Sequence, residues 1–230
     1  MIDLHSHILP GMDDGSESPE MSREMLQILA RQGVEAVVAT PHFYAHRDTP
    51  DSFLQRRAEA VAALAYDECQ TPKLLLGAEV AYFEGMSRSE DMKKLQIGQS
   101  GLLLVEMPFG PWTQWMIDEI CLLPKYTGLT PVLAHVERYR GASQMRKFKD
   151  KLLRSGVLFQ CSANVMNRLL PMQWVLGRIK RREVHFLGSD AHNLTTRAPQ
   201  MDLARQVISG KLGAEFIEDI TRYSKEILKV

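Results

Sequence analysis

The chain has 230 residues, 45% of them hydrophobic and 24% charged. Size scaling gives such a monomer roughly 10,500 Å² of exposed surface against roughly 38,000 Å² unfolded, so a sizeable core forms without disulfides or a structural metal. Twenty-eight basic residues balance twenty-eight acidic ones, which removes any global electrostatic reason to bind nucleic acid or an anionic membrane.

Cys69, Cys121 and Cys161 lie far apart without CxxC spacing, which argues against a disulfide framework and a zinc ribbon. The N-terminus lacks a basic and apolar leader pattern, and no apolar run approaches the ~20 residues of a membrane span. The expectation is one domain, residues 1–230, cytoplasmic and without direct membrane insertion. Its oligomeric state is left open.

In chain order, seven short apolar runs are expected as strands: Ile2 to Leu4, Val34 to Thr40, Lys73 to Ala78, Gly101 to Val105, Leu129 to Ala134, Val157 to Cys161 and Val184 to Leu187. They are continuous rather than alternating, as strands covered on both faces are. Helical patterns separate them. Ser18-Pro19-Glu20 opens a helix carrying Met21, Met25, Ile28 and Leu29, and Gly33 stops it. Residues 52–66 read as a helix. Thr113 caps one carrying Met116, Ile120 and Leu123, and Ser143 caps one carrying Met145, Phe148 and Leu152. Pro171 to Lys180 and much of 200–228 also read as helix. Strand–helix alternation implies parallel strands with helical crossovers.

The apolar runs end alike. The first ends at His5-Ser6-His7, the second at Thr40-Pro41-His42, the third at Glu79, the fourth at Glu106, the fifth at His135 and the seventh at Asp190-Ala191-His192. In parallel β/α folds, functional groups gather at the carboxyl ends of strands. An open sheet would spread these ends along a crevice, whereas a barrel brings them to one point. The fold expected is therefore α/β, a single barrel of seven strands.

His, Asp and Glu without Cys suit a divalent Mn, Fe or Zn ion rather than Cu(I). His5 and His7 are two apart, so on a strand they point the same way, and Asp190 and His192 share that spacing. With Asp14 in the loop after the first run, the candidates are His5, His7, Asp14, His42, Glu79, Glu106, His135, Asp190 and His192. These are too many for one ion and fit three with a bridging carboxylate. Their four carboxylates leave three divalent ions net positive, which suits a phosphate dianion, and clustered ions can generate hydroxide at neutral pH. A lone His at a strand end is more often structural. His185, inside an apolar run, reads as a core or interface residue, and His46 as solvated.

Three stretches carry a family resemblance: Met1 to Ile8 with Asp13-Asp14-Gly15, Ala134-His-Val-Glu-Arg-Tyr139, and Gly188-Ser-Asp-Ala-His-Asn193 followed by Arg197. The chain resembles the polymerase and histidinol phosphatase (PHP) superfamily. Within it, the chain is similar to the manganese-dependent protein-tyrosine phosphatases of bacterial capsular and exopolysaccharide operons, the CpsB/YwqE type. The resemblance runs from residue 1 to about 205.

It implies a distorted (β/α)7 PHP barrel with three divalent ions, most commonly Mn²⁺, with Fe or Zn possible. His5, His7, Glu79 and Asp190 would hold the first ion. Glu79, bridging, with Glu106 and His135 would hold the second, and Asp14, His42 and His192 the third. Arg138 and Arg197 match the family's phosphate-gripping arginines, and a guanidinium fork fits phosphate bidentately. Glu137 and Tyr139 are left as supporting or structural groups. The loop from Phe43 to Asp51 is shorter than the family's basic stretch, and Ala81 and Tyr82 follow Glu79 where a charge is common there.

The chemistry expected is hydrolysis of phosphotyrosine on a protein by a metal-bridging hydroxide. By resemblance, the substrate is the Tyr-rich tail of a bacterial tyrosine kinase regulating polysaccharide export. His42 or His192 could serve as general acid if not committed to metal, although a phenolate is already a fair leaving group. Phe43, Tyr44, Met107 and Phe109 lie past strand ends and could wall the aromatic ring, Phe43 and Tyr44 being the foremost candidates. No cysteine has an arginine six positions later, which disfavours a phosphocysteine route. The alternatives are a small-molecule phosphomonoesterase acting on a compound like histidinol phosphate, a nuclease, which zero net charge disfavours, and a non-catalytic metal-stabilised binding module.

Overall fold

The computed structural model describes residues 1–65, 71–139 and 143–230, the side chains of residues 143 and 144 excepted. Cys69, the end of the expected helix at residue 66 and the capping role of the Ser143 side chain lie outside what is described. The accessible surface is 10,379 Å², close to the value that size scaling predicts.

Among the described residues the expected seven runs appear as nine strands: β1 (Ile2–Ser6), β2 (Ala36–Ala39), β3 (His42–Phe43), β4 (Lys73–Leu76), β5 (Glu79–Ala81), β6 (Leu102–Glu106), β7 (Thr130–Leu133), β8 (Leu158–Ser162) and β9 (Phe186–Gly188). Two runs are each followed by a further short strand outside their expected bounds. Pro41 has no N–H to give the ladder and separates β2 from β3. Gly77 and Ala78 separate β4 from β5. The hydrogen-bonded orders are β1-β2-β4 and β3-β5-β6-β7-β8-β9, all pairs parallel. Since β3 continues β2 and β5 continues β4, the two sets form one curled parallel sheet. Beyond β9 the chain returns to β1: Asp190 N–H donates to His5 O at 2.8 Å, and His7 N–H to Ala191 O at 2.9 Å.

The helices are α1 (Pro19–Arg31), α2 (Pro50–Leu64), α3 (Gln114–Thr127), α4 (Ser143–Arg154), α5 (Leu169–Lys180), α6 (Met201–Leu212) and α7 (Ala214–Leu228). Their starts follow local chemistry. The Ser18, Thr49 and Thr113 side chains accept the N–H of Met21, Ser52 and Met116, and Pro19 and Pro50 fill positions where a missing N–H costs nothing. Gly33, at φ +77°, follows the end of α1 as expected.

Alternation along the strands divides the core. Ile2, Leu4, Ala36, Val38, Leu102, Leu104, Val132, Ala134 and Phe186 form one apolar cluster inside the curl, joined by Leu228 of α7. Their neighbours Val37, Ala39, Leu103, Val105 and Leu133 pack outward against the helices. The outer cluster takes in Leu29 of α1, Ile120 of α3 and Ile208 of α6. Both faces of most strands are therefore covered, β4 being only partly buried, which accounts for the unbroken apolar runs. No helix among the described residues is long and apolar enough to cross a membrane.

One irregularity serves the site. Asp3 pairs with Val37 and Ser6 with Ala39, so β1 carries one more residue than β2 over this stretch. Such a bulge re-aims side chains at a strand end, and it falls on His5.

Candidate metal centre

Nine side chains from six strand ends and one loop converge. His5 Nε2 and His7 Nε2 lie 3.0 Å apart. Glu79 Oε2 is 3.2 Å from the first and 3.3 Å from the second, and Asp190 Oδ1 is 3.6 Å from each. The other oxygen of Glu79 faces His135 Nε2 at 2.9 Å, which in turn is 3.3 Å from Glu106 Oε1. On the third side, Asp14 Oδ1 stands 3.6 Å from His42 Nε2 and 3.5 Å from His192 Nε2. Glu79 also reaches His42 Nδ1 at 3.1 Å. Every residue picked from the strand ends is thus present at one place, with Glu79 between the groups. Three compact sets with metal-binding spacing emerge: His5, His7 and Asp190; His42, Glu79 and Glu106; and His7, Asp14, His42 and His192. The grouping differs in detail from that expected, because His7 and His42 each face two sets.

The hydrogen bonds around the histidines fix which nitrogen faces the cluster. His7 Nδ1–H donates to Asp13 Oδ2 at 2.7 Å, and His192 Nδ1–H donates to the Asp190 carbonyl at 2.9 Å. Gln160 Oε1 takes the His135 N–H at 2.7 Å, so it acts as acceptor, and His5 Nδ1–H donates to the same oxygen at 3.3 Å. In all three rings the Nδ1 contact turns Nε2 inward, the orientation that presents imidazole to a cation. Glu79 Oε2, His42 Nδ1 and His192 Nε2 are buried there close to oppositely charged or polar neighbours but in no contact with hydrogen-bond geometry among the described residues. Buried polar atoms of this kind call for a ligand, and the donor set fits divalent ions.

The electrostatics agree. Burial opposes charge on His7, but Asp13 and Glu79 outweigh it and hold its pKa up at about 10. Burial likewise opposes charge on His135, and Glu106 and Glu79 raise its pKa to about 9. Glu79 stays well below the usual carboxylate range despite its burial, held there by His5 and His135. The clustered acids therefore favour positive charge at this point. His192 is pushed down to about 3 by burial and by His7, which keeps its ring neutral.

Backbone strain accompanies the chemistry. His135 and Asp190 adopt φ of +33° and +51°, a region non-glycine residues rarely enter and that concentrates at functional sites. Two glycines allow the close packing behind the ligands. A Cβ on Gly188 would stand 2.5 Å from His5 Cβ, and one on Gly15 would stand 2.3 Å from His7 O.

Arg138 donates to Asp190 Oδ2, and Arg197 reaches Asp190 Oδ1 at 3.0 Å and Asp14 Oδ2 at 3.4 Å. Both guanidiniums thus border the ligand cluster. Glu137 and Tyr139 are buried and bond to the backbone: Glu137 accepts the Ser162 N–H at 3.3 Å, and the Tyr139 hydroxyl lies 3.0 Å from both Met107 N and O. His46 is exposed, while His185 accepts the Phe159 N–H at Nδ1, 3.0 Å away.

Two expectations need correction. Phe43 does not line the mouth; it is buried against Phe53, with ring centroids 5.4 Å apart, because the side chain after His42 on β3 points into the outer core. Met107 is buried as well. Tyr44 and the exposed Phe109 stand at the opening instead: Tyr44 lies beside His42 at 5.3 Å, and Phe109 stacks over His135 at 6.0 Å. A cleft of about 540 Å³ runs from Asp14 and His42 past Tyr44 to Arg47. His192 Nδ1 lies against the Asp190 carbonyl, and both nitrogens of His42 face carboxylates.

Asp13, Gln160 and Asp3 are the supporting residues the strand-end reading passed over. Asp13 also accepts the His42 and Gly15 N–H groups, and Asp3 accepts those of Ser189 and His5 at 2.7 and 3.2 Å. Gln160 and Asp3 are polar residues flanked by apolar ones within β8 and β1, which was a usable signal. Cys161 is buried, and burial followed by Glu137 pushes its thiol well above the usual range, the opposite of what a nucleophilic thiolate needs.

Comparison with known proteins agrees with this geometry. The tyrosine-protein phosphatase CpsB of Streptococcus pneumoniae is 28% identical, the match covering 96% of this chain and 94% of that protein. The tyrosine-protein phosphatase YwqE of Bacillus subtilis is 27% identical over 100% of this chain and 92% of its own length. A crystal structure from work on these two proteins, described as unique metal-dependent tyrosine phosphatases, superposes with a TM-score of 0.82 at 25% identity, covering 100% of this chain and 94% of the other. The inactive dihydroorotase-like domain of a Chaetomium thermophilum multifunctional protein shares the fold alone, with a TM-score of 0.58 and 11% identity. The family model described as capsular polysaccharide synthesis, CpsB/CapC, matches residues 1–229, and the chain belongs to that family.

Proposed function

We propose that this chain is a metal-dependent protein-tyrosine phosphatase, built on a seven-strand barrel and holding three divalent ions, Mn²⁺ first among the candidates. The observation that carries the reading is an ion-ready donor set bordered by two guanidiniums. Three histidines turn their Nε2 atoms toward Glu79, Asp190 and Asp14, and Arg138 and Arg197 rest on the last two of these acids. The names of the relatives supply the reaction.

His5, His7 and Asp190 would hold one ion, with Glu79 bridging to a second at Glu106 and His135, and Asp14, His42 and His192 would hold the third. Ions held there would supply activated water and neutralise phosphate oxygens. The rest falls to the protein. Arg138 and Arg197 turn from the acids to grip the non-bridging phosphate oxygens, where a planar fork matches the phosphoryl group as its charge redistributes. Asp13 and Gln160 keep the imidazoles of His7 and His5 in the tautomer that leaves Nε2 free. Tyr44 and Phe109 flank the leaving phenol. A phenolate with a pKa near 10 is a fair leaving group, and His42 or His192 would protonate it where not committed to an ion.

The proposed substrate is a phosphotyrosyl protein in the cytoplasm, the tail of a tyrosine kinase that controls polysaccharide export. A direct test compares initial rates on a phosphotyrosyl peptide and an alkyl phosphomonoester under the same metal loading. The reading predicts a ratio well above one. A ratio at or below one would transfer the assignment to a small-molecule phosphatase.

A further inference from the structure

A second cleft, of about 530 Å³, opens beside the centre, and its lining joins Arg138 and Arg197 to a third guanidinium, Arg168. The first two are engaged with Asp190 and Asp14. Arg168 is not. It stands exposed at the N-terminal end of α5, with no side-chain capping bond and no ion pair among the described residues. The acid in the described lining, Glu137, is buried and turned inward to the Ser162 N–H, so it does not neutralise the cleft. Asn164 and Thr196 add neutral polar groups. Next to Arg168, Leu169 and Leu170 are 65% and 68% exposed. A cationic wall followed by an apolar step is a surface for a peptide, and it begins where the phosphate-facing arginines end.

Resting on the phosphatase reading above, we infer that Arg168 is a specificity-determining residue: it pairs with an anionic side chain, carboxylate or phosphate, close to the phosphotyrosine in the substrate chain. Arg138 and Arg197 are drawn to the phosphate undergoing hydrolysis. Arg168 shares their cleft but lies off the ligand cluster, so it reads the neighbouring residue. A guanidinium accepts either anion in a bidentate pair.

The experiment uses the manganese-loaded protein and three phosphotyrosyl peptides of one sequence, flanked by Asp, by Asn or by a second phosphotyrosine. KM and kcat are measured for the parent, Arg168→Ala, Arg168→Lys and Arg168→Glu. The parent is expected to prefer an anionic peptide over the Asn peptide by roughly fivefold in KM, the scale of a partly exposed ion pair, with kcat alike. Arg168→Ala abolishes that preference, Arg168→Glu reverses it, Arg168→Lys keeps part of it, and added salt weakens it. A preference confined to the doubly phosphorylated peptide identifies the anion as phosphate, and one shared by the Asp peptide identifies charge alone. Equal KM for all three peptides in the parent, or an equal rise on all three in Arg168→Ala, overturns the inference while leaving the phosphatase reading intact. Failure of the parent to hydrolyse any of the three overturns both.

Discussion

Asp13 Oδ2 lies 2.7 Å from His7 Nδ1, and the same oxygen accepts the His42 N–H at 2.8 Å. One carboxylate outside the ligand cluster thereby orients an imidazole on β1 and anchors the start of β3. It is the strongest positive influence on His7, and His7 in return holds Asp13 well below the usual carboxylate range even though burial works against it. Asp13→Asn keeps the volume but weakens the acceptor. Outer partners of this kind are worth about 10- to 100-fold in metal affinity, so manganese affinity is expected to fall by that factor, read by competition with a chelator. Unchanged affinity would reduce Asp13 to a loop anchor.

Gly188 and Gly210 make a paired test of packing behind the ligands. A Cβ on Gly188 meets His5 Cβ at 2.5 Å and His5 N at 2.9 Å, whereas one on Gly210 in α6 meets nothing within 4 Å. Gly188→Ala should cost about 1–3 kcal/mol of stability and lower the metal content. Gly210→Ala should gain roughly 0.5–1 kcal/mol from helix propensity with metal content unchanged. Denaturant midpoints and bound manganese, measured on both variants, check the contrast.

Phe43 and Phe109 exchange the roles the sequence suggests for them. Phe43 is 1% exposed and Phe109 61%. Phe43→Ala is expected to destabilise by about 3–5 kcal/mol, as large-to-small core changes do, and to leave KM for an aryl phosphate unaltered in the fraction that folds. Phe109→Ala should leave the unfolding midpoint within about 0.5 kcal/mol and raise KM. The reverse pattern would place the substrate ring on the wrong side of β3.

His185 gives a pH dependence separable from the metal centre. Burial lowers its pKa to about 4, and its Nδ1 accepts the Phe159 N–H, which a protonated ring could not do. Its folded pKa lies below the unfolded value near 6.5. The unfolded chain therefore binds the proton first, and the contribution is fully present above pH 6.5 and lost as pH falls toward 4. His185→Asn should show a shallower loss of stability over that interval than the parent. Parallel curves would mean that His185 does not titrate against the fold.

The strand ends were legible because apolar runs covered on both faces leave little room for polar residues. His5, Glu79, Glu106, His135 and Asp190 therefore stood out at run boundaries. The divisions at Pro41 and Gly77 were less visible, since apolar content continues across them and only the missing N–H of Pro41 marks the break. Asp13 was hidden beside Asp14: two adjacent acids in a loop look alike, and only three-dimensional proximity separates the one that faces the cluster from the one that orients His7. Phe43 misled for a related reason. Position past a strand end predicts the loop, but the direction of one side chain on β3 depends on how that short strand pairs with β5. Arg168 lies on no strand end, and only the cleft it shares with Arg138 and Arg197 brings it into view.

The central claim is that the converging His, Asp and Glu side chains form a metal centre that hydrolyses phosphotyrosine. The most direct measurement strips the protein with a chelator, returns Mn²⁺ stepwise, and follows bound metal per chain alongside phosphotyrosyl-peptide hydrolysis. The account predicts no activity when stripped, recovery that completes as binding reaches three ions per chain, and indifference to thiol alkylation. Full activity in protein verified to be metal-free would contradict it.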